Sequence, residues 1–230
     1  MKESDSTSWF NLIKRILLKY GLQHSLEYLS NPMCKLGWKK LIQTHINEYW
    51  KSRLISDCEL YSSLKYLDYS SFTPNRCHWI VHIDNESNPS REAMLIATKL
   101  KLATRSYNLQ QKRATFVHNE KPTCKLCDAE DEDVEHFILR CVCLQPIRSS
   151  YINDLSVIFH EATAKDFMEL PSSNQIQIIM DCTSELKFRK DNVGPKKSDM
   201  DYIGRIHKLT RRLCFDLHTA RTRLLNLKRE

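Results

Sequence analysis

Four residues within one short stretch are of the types that hold a metal ion. In CKLCDAEDEDVEHFILRC (Cys124–Cys141), Cys124, Cys127, His136 and Cys141 are spaced C-x2-C-x8-H-x4-C. Two cysteines separated by two residues can grip one ion from a tight turn. A His and a Cys five positions apart can close the shell from the helix that follows. Three thiolates and an imidazole are a closed tetrahedral set for a structural Zn²⁺, with no open position for chemistry. The competing reading is a pair of buried free cysteines beside a surface helix. Cys143 is a spare thiol that could replace Cys141 as fourth ligand; helical geometry favours Cys141, and Pro146 marks an interruption soon after. A second group, Cys77, His78 and His82, has no fourth ligand at a persuasive spacing and reads as ordinary packing.

Helices must position these ligands. Only four glycines and seven prolines in 230 residues argue against a turn-rich β-sandwich. Apolar residues recur at steps of three or four over 8–29 and 36–56, the first pattern bent at Gly21 and broken at Asn31-Pro32. Residues 62–67 read as a short helix or turn, and 77–85 as a short strand or an extended linker. The span 90–117 opens on Ser90 as N-cap and carries the stripe Met94, Leu95, Ala97, Leu100 and Leu102. Further helices are expected over 144–160, 163–169 and 174–189. The strongest periodicity lies over 199–228, with Ile203, Ile206, Leu209, Leu213, Leu217, Ala220 and Leu224. That stripe is narrow enough for a coiled-coil seam or for docking on a core. The chain therefore divides into an N-terminal helical region (1–88), a helical region containing the knuckle at 124–141 (89–189), a linker (190–198) and a basic amphipathic helix (199–230). The fold class expected is mainly α: an irregular helical bundle with one zinc knuckle.

Charge is unevenly spread. The net charge is +7, and residues 203–229 hold eight cations against one acid, Asp216. That asymmetry points to an anionic partner, nucleic acid above all. The cations singled out there are Arg205, Lys208, Arg211, Arg212, Arg221 and Arg223. A second cluster, Lys99, Lys101, Arg105, Lys112 and Arg113, is interleaved with Tyr107 and Phe116, a composition suited to a single strand whose bases stack on rings. A solvated basic face is the bland alternative. The acidic run Asp128–Asp133 would repel phosphate locally, which makes the knuckle itself a structural clip. No stretch is long and apolar enough for a membrane span, the N-terminus lacks a signal-peptide pattern, and an odd count of nine cysteines suits a reducing, intracellular compartment, nucleus or cytoplasm.

The zinc motif and its flanks resemble a known family. Cys124, Cys127, Glu135, His136, Phe137, Leu139, Cys141 and Arg148 match the pattern of the zinc-binding C-terminal region of reverse transcriptases from non-LTR (LINE-like) retrotransposons. Ser62–Asp68, the pair His78-Trp79 and Tyr107–Phe116 are similar to such elements too, so the resemblance spans roughly residues 40–155. Where that family has a glycine ahead of the Tyr-x-Leu-Gln run, this chain has Arg105, which puts a tight turn there in doubt. The polymerase domain of the family carries paired aspartates for two metal ions. Nothing here matches them, since Asp68 and Asp84 are isolated, and four glycines could hardly build a phosphate-cradling loop.

The resemblance implies a non-catalytic, zinc- and nucleic-acid-binding fragment of such a polyprotein, binding RNA or DNA with little sequence specificity. Two other readings stand beside it. One is a protein–protein adaptor, with homo-oligomers formed through the C-terminal helix; the other is a decayed element without selected function.

Overall fold

The computed structural model describes residues 8–67, 88–186 and 197–228. Among them the chain is helical and no strand forms; the only extended pairing is a single antiparallel bridge between Thr123 and Asp131. The mainly α expectation holds. The stretch 77–85, with Cys77, His78 and His82, and most of the expected linker lie outside the described residues.

The chain divides into two compact units, the first Met1–Asp57 with Phe72–Arg76 and the second the remainder. The first unit holds α1 (Trp9–Lys19), α2 (Ser25–Ser30) and most of α3 (Lys35–Leu60). Gly21 ends α1 rather than bending it. Its φ of +67° lets Leu22 N–H reach Leu17 O at 2.9 Å and Gly21 N–H reach Leu18 O at 3.1 Å, a paired C-cap that glycine adopts without Cβ strain. Lys19 sits over the rings of Tyr20, Tyr49 and Trp50 at 5.3–5.5 Å. Among the described residues of this unit, only Leu17 and Leu22 are buried.

The second unit contains α4 (Pro89–Ala103), α5 (Gln110–Phe116), α6 (Gln145–Thr163), α7 (Ser172–Met180), α8 (Thr183–Leu186) and α9 (Lys197–Leu227). Asn88, not Ser90, caps α4: its Oδ1 accepts from the N–H groups of Ser90 and Arg91 at 3.1 and 3.3 Å, and Pro89 takes the first turn, where its missing N–H costs nothing. The single helix expected over 90–117 is broken at Arg105, whose φ is +50°. The turn is kept although no glycine supplies it. Arg105 N–H bonds Leu102 O at 3.0 Å, and Lys112 Nζ holds the Arg105 carbonyl at 3.2 Å. Residues 145–163 form one helix, and 164–170 are turns rather than the helix expected over 163–169.

Helix α9 packs on α4 and α6. Ile203, Ile206, Leu213 and Leu217 are buried, and Leu209, Ala220 and Leu224 pack against the same core. The apolar stripe is thus used within the chain. Helix α9 belongs to the second unit, and its stripe lies in that unit's core.

The core also takes in a lysine. Lys99 is fully buried, with Nζ 2.9 Å from His207 Nδ1 and 2.7 Å from Thr210 Oγ1, and His207 Nε2 lies 3.8 Å from Asp181 Oδ1. Burial lowers its pKa from 10.5 to about 8. Between those values the unfolded chain holds a proton that the folded chain has released, so stability rises with pH through this window. Below pH 8 both states are charged and the burial penalty is at its full size. Cys182 and Cys214, pushed up to about 12 by burial from 9.0, act in the opposite sense above pH 9, so the rise that Lys99 contributes is felt at about pH 8–9. Lys99→Met should remove that contribution and leave stability at pH 7 unchanged or higher by about 1 kcal/mol, since a shape-matched apolar side chain replaces a desolvated ammonium. Urea unfolding at pH 7 and pH 9 checks it; a loss above 2 kcal/mol at pH 7 would refute it.

Candidate metal centre

Cys124, Cys127, His136 and Cys141 each offer one ligand atom, and these four atoms lie within 4.8 Å of one another. The group can hold a metal ion. Cys124 and Cys141 Sγ are 4.0 Å apart, and Cys127 Sγ is 3.3 Å from His136 Nε2. A tetrahedron built on metal–ligand bonds of about 2.0–2.3 Å has edges of roughly 3.5–3.8 Å, close to these two spacings, so the group needs only a small contraction to close on an ion. Cys143 is not in it; its Sγ donates to Leu126 O at 3.3 Å.

Local backbone geometry brings the four together. The Cys124–Cys127 turn closes with Asp128 N–H on Cys124 O at 2.8 Å, and Asp128 takes φ +56°, a left-handed position that Asp tolerates better than most residues. Cys124 N–H on Glu130 O at 2.8 Å and Glu132 N–H on Pro122 O at 2.9 Å zip the two sides of the loop. His136–Arg140 is a π-helical turn, and Cys141 N–H bonds His136 O at 2.7 Å. On an ordinary α-helix positions five apart lie about 140° apart around the axis. The wider turn is what lets His136 and Cys141 face one point, a correction to the plain helix that the spacing implied.

The acidic run is consumed by the site it surrounds. Glu130 Oε2 lies 3.2 Å from His136 Nδ1, which leaves Nε2 as the ligating nitrogen, and 3.1 Å from Arg140 Nε. Asp133 Oδ1 accepts His136 N–H at 2.6 Å. Glu132 is buried; it chelates Arg221 by two bonds of 2.6 and 2.7 Å, accepts Gln110 N–H at 2.9 Å and approaches Cys124 Sγ at 3.9 Å. Arg148, also buried, donates to the Cys141 carbonyl at 2.9 Å and to Gln145 Oε1 at 2.8 Å, so it fixes the backbone of the fourth ligand. Phe137 stacks on Tyr107 with centroids 5.6 Å apart, behind the ligands. Without metal the two closest thiols share a proton: Cys124 is drawn down to about 5 by the Cys141 hydrogen bond and by backbone N–H groups, and Cys141 is driven up.

No family model, curated protein or solved structure matches this chain.

The cations singled out in the sequence separate into two sets. Lys99, Arg211 and Arg221 are buried and serve the fold: Lys99 in the core, Arg211 with Nη1 3.5 Å from Glu92, Arg221 on Glu132. They are not surface contacts for phosphate. Lys101, Arg205, Lys208, Arg212 and Arg223 are exposed, and Arg105, Lys112 and Arg113 half-exposed. Arg205 pairs with Glu161 at 3.1 Å. Glu132 was missed, hidden in an acidic run that reads as solvated loop. Among the described residues no helix is long and apolar enough to cross a membrane.

Proposed function

We propose that the ion is Zn²⁺ and that the second unit is a zinc-clipped, non-catalytic nucleic-acid-binding module, derived from the tail of a non-LTR retrotransposon reverse transcriptase. The observation that carries the reading is a closed shell of three thiols and one imidazole beside cations that remain at the surface. Three sulfurs select a soft or borderline ion over Mg²⁺ or Ca²⁺, and four protein ligands leave no site for a reactive water. Two non-ligand residues that carry the family resemblance support this shell: Arg148 holds the Cys141 backbone and Phe137 packs on Tyr107 beside it. The setting implied is intracellular, in nucleus or cytoplasm.

The test joins two measurements on the full chain: zinc content of the purified protein, and anisotropy of a labelled single-stranded RNA across salt concentrations. One zinc per chain is expected. A strand held by about four cations should give a slope of log K against log[salt] near −3. Zinc without binding would leave a structural clip and remove the nucleic-acid part of the reading. Absence of zinc would remove its foundation.

A further inference from the structure

Against the metal-binding turn lies a cleft of about 830 Å³, formed within the second unit by the ends of α4, α5 and α9. Its lining includes five cations, Lys101, Arg113, Lys125, Arg221 and Lys228, and one carboxylate, Asp128. Glu132 answers Arg221, Asp128 answers Lys228 at 3.2 Å, and Glu120 pairs with Lys125 and stands 3.9 Å from Arg113. Among the described residues Lys101 has no carboxylate partner. Positive charge is therefore in excess inside a concave site, where low-dielectric walls focus the field.

One further feature favours more than a bare anion there. Tyr107 and His218 line the cleft, with Tyr107 Oη 2.5 Å from His218 Nδ1 and the two rings edge to face at 5.6 Å. A nucleobase has a flat face to set against such rings, which a bare anion lacks. The volume is that of a small-molecule site, enough for unpaired nucleotides and too small to admit a duplex.

We propose that this cleft seats an unpaired stretch of a polynucleotide, its phosphates on Lys101, Arg113 and Lys125 and a base against Tyr107 and His218. The inference rests on the nucleic-acid reading above and gives it a place. The metal turn is one wall of the seat. Lys125 lies between Cys124 and Cys127, and Lys228 Nζ donates to the carbonyls of Lys125 and Leu126 at 2.8 and 2.9 Å, which ties the end of α9 to that turn. The ion and the strand are thus linked through one backbone loop.

The experiment uses the metal-loaded full chain and a labelled single-stranded oligonucleotide, with metal content and circular dichroism checked for every variant. Lys101→Gln combined with Arg113→Gln should weaken binding about tenfold and flatten the salt slope by about 1.4, two phosphate contacts on a single strand. Arg91→Gln with Lys165→Gln, which removes the same charge from exposed positions outside the cleft, should change affinity less than twofold. An abasic strand of equal length should bind more weakly, and a duplex more weakly still. The cleft is overturned if Arg212→Gln with Arg223→Gln costs more than the cleft pair, if the duplex binds as tightly as the single strand, or if the abasic strand binds equally. ATP competing as well as the strand would make it a mononucleotide site and overturn the polynucleotide. In each of those cases the broader nucleic-acid reading survives. Only a wild-type chain that binds no strand defeats both.

Discussion

Cys124→Ser should abolish metal retention and cost the second unit its cooperative unfolding. Cys124, His136 and Cys141 are among the most buried residues of the chain, and the same cluster includes Phe137, Ile138 and Leu144. The backbone around them is held by few regular elements, since the knuckle is a loop, a π-turn and one bridge. A metal bound there would contribute folding free energy: structural zinc supplies an apparent 10–16 kcal/mol in small domains, comparable to the whole stability of a domain this size. Losing one of four ligands forfeits a large part of that, and a chelator applied to the wild type should reproduce the effect. Cys143→Ser is the matched control; its thiol only donates to Leu126 O, so the variant should keep both metal and melting temperature. Thermal melts with metal analysis decide it. A Cys124→Ser protein that melts like wild type, with no response to chelator, would mean that the four residues are a buried cluster and not a metal site.

What was legible in the sequence was local. The ligand quartet is set by spacings within eighteen residues, and α9 by a stripe that repeats every three or four positions; both survive into the structure. The uses of the charges were not local. Lys99 meets His207 and Thr210, Arg211 meets Glu92, and Arg221 meets Glu132, all partners some ninety or more positions away. A cation reads as solvated until its partner is known. A signal nevertheless existed. Lys99 follows Leu95 by four and precedes Leu102 by three, and Arg221 follows Leu217 by four, so both sit on the face that the apolar pattern sends inward. Burial of a charge on such a face demands an opposite partner, and the acidic run Asp128–Asp133 was the nearest unexplained supply. Arg105 went the other way: sequence favours glycine where φ is positive, yet bonds from the flanking helices hold the turn with an arginine in it.

The buried pair Glu132–Arg221 carries the second large expectation. Glu132→Ala strands a guanidinium in the core and deprives Gln110 N–H of its acceptor; Arg221→Ala strands a carboxylate beside Cys124. Each single change should cost about 3–5 kcal/mol in urea unfolding of the metal-loaded chain, because what remains is an unpaired buried charge. The double variant should cost far less than the sum, and Glu132→Leu with Arg221→Met, apolar replacements of similar volume, should recover most of the stability. Salt should matter little, since the pair is shielded from solvent. These outcomes separate two roles for one arginine. If Arg221 were a phosphate contact on an open helix face, Arg221→Gln would leave unfolding unchanged and lower affinity in a salt-dependent way. With Glu132 chelating it at 2.6 and 2.7 Å, the same change should instead loosen the joint between α9 and the metal loop. The Glu132→Ala chain should then show the same loss of stability although no cation has been removed. Single variants that each cost under 1 kcal/mol and add without coupling would place the pair at the surface and return Arg221 to the set of free cations.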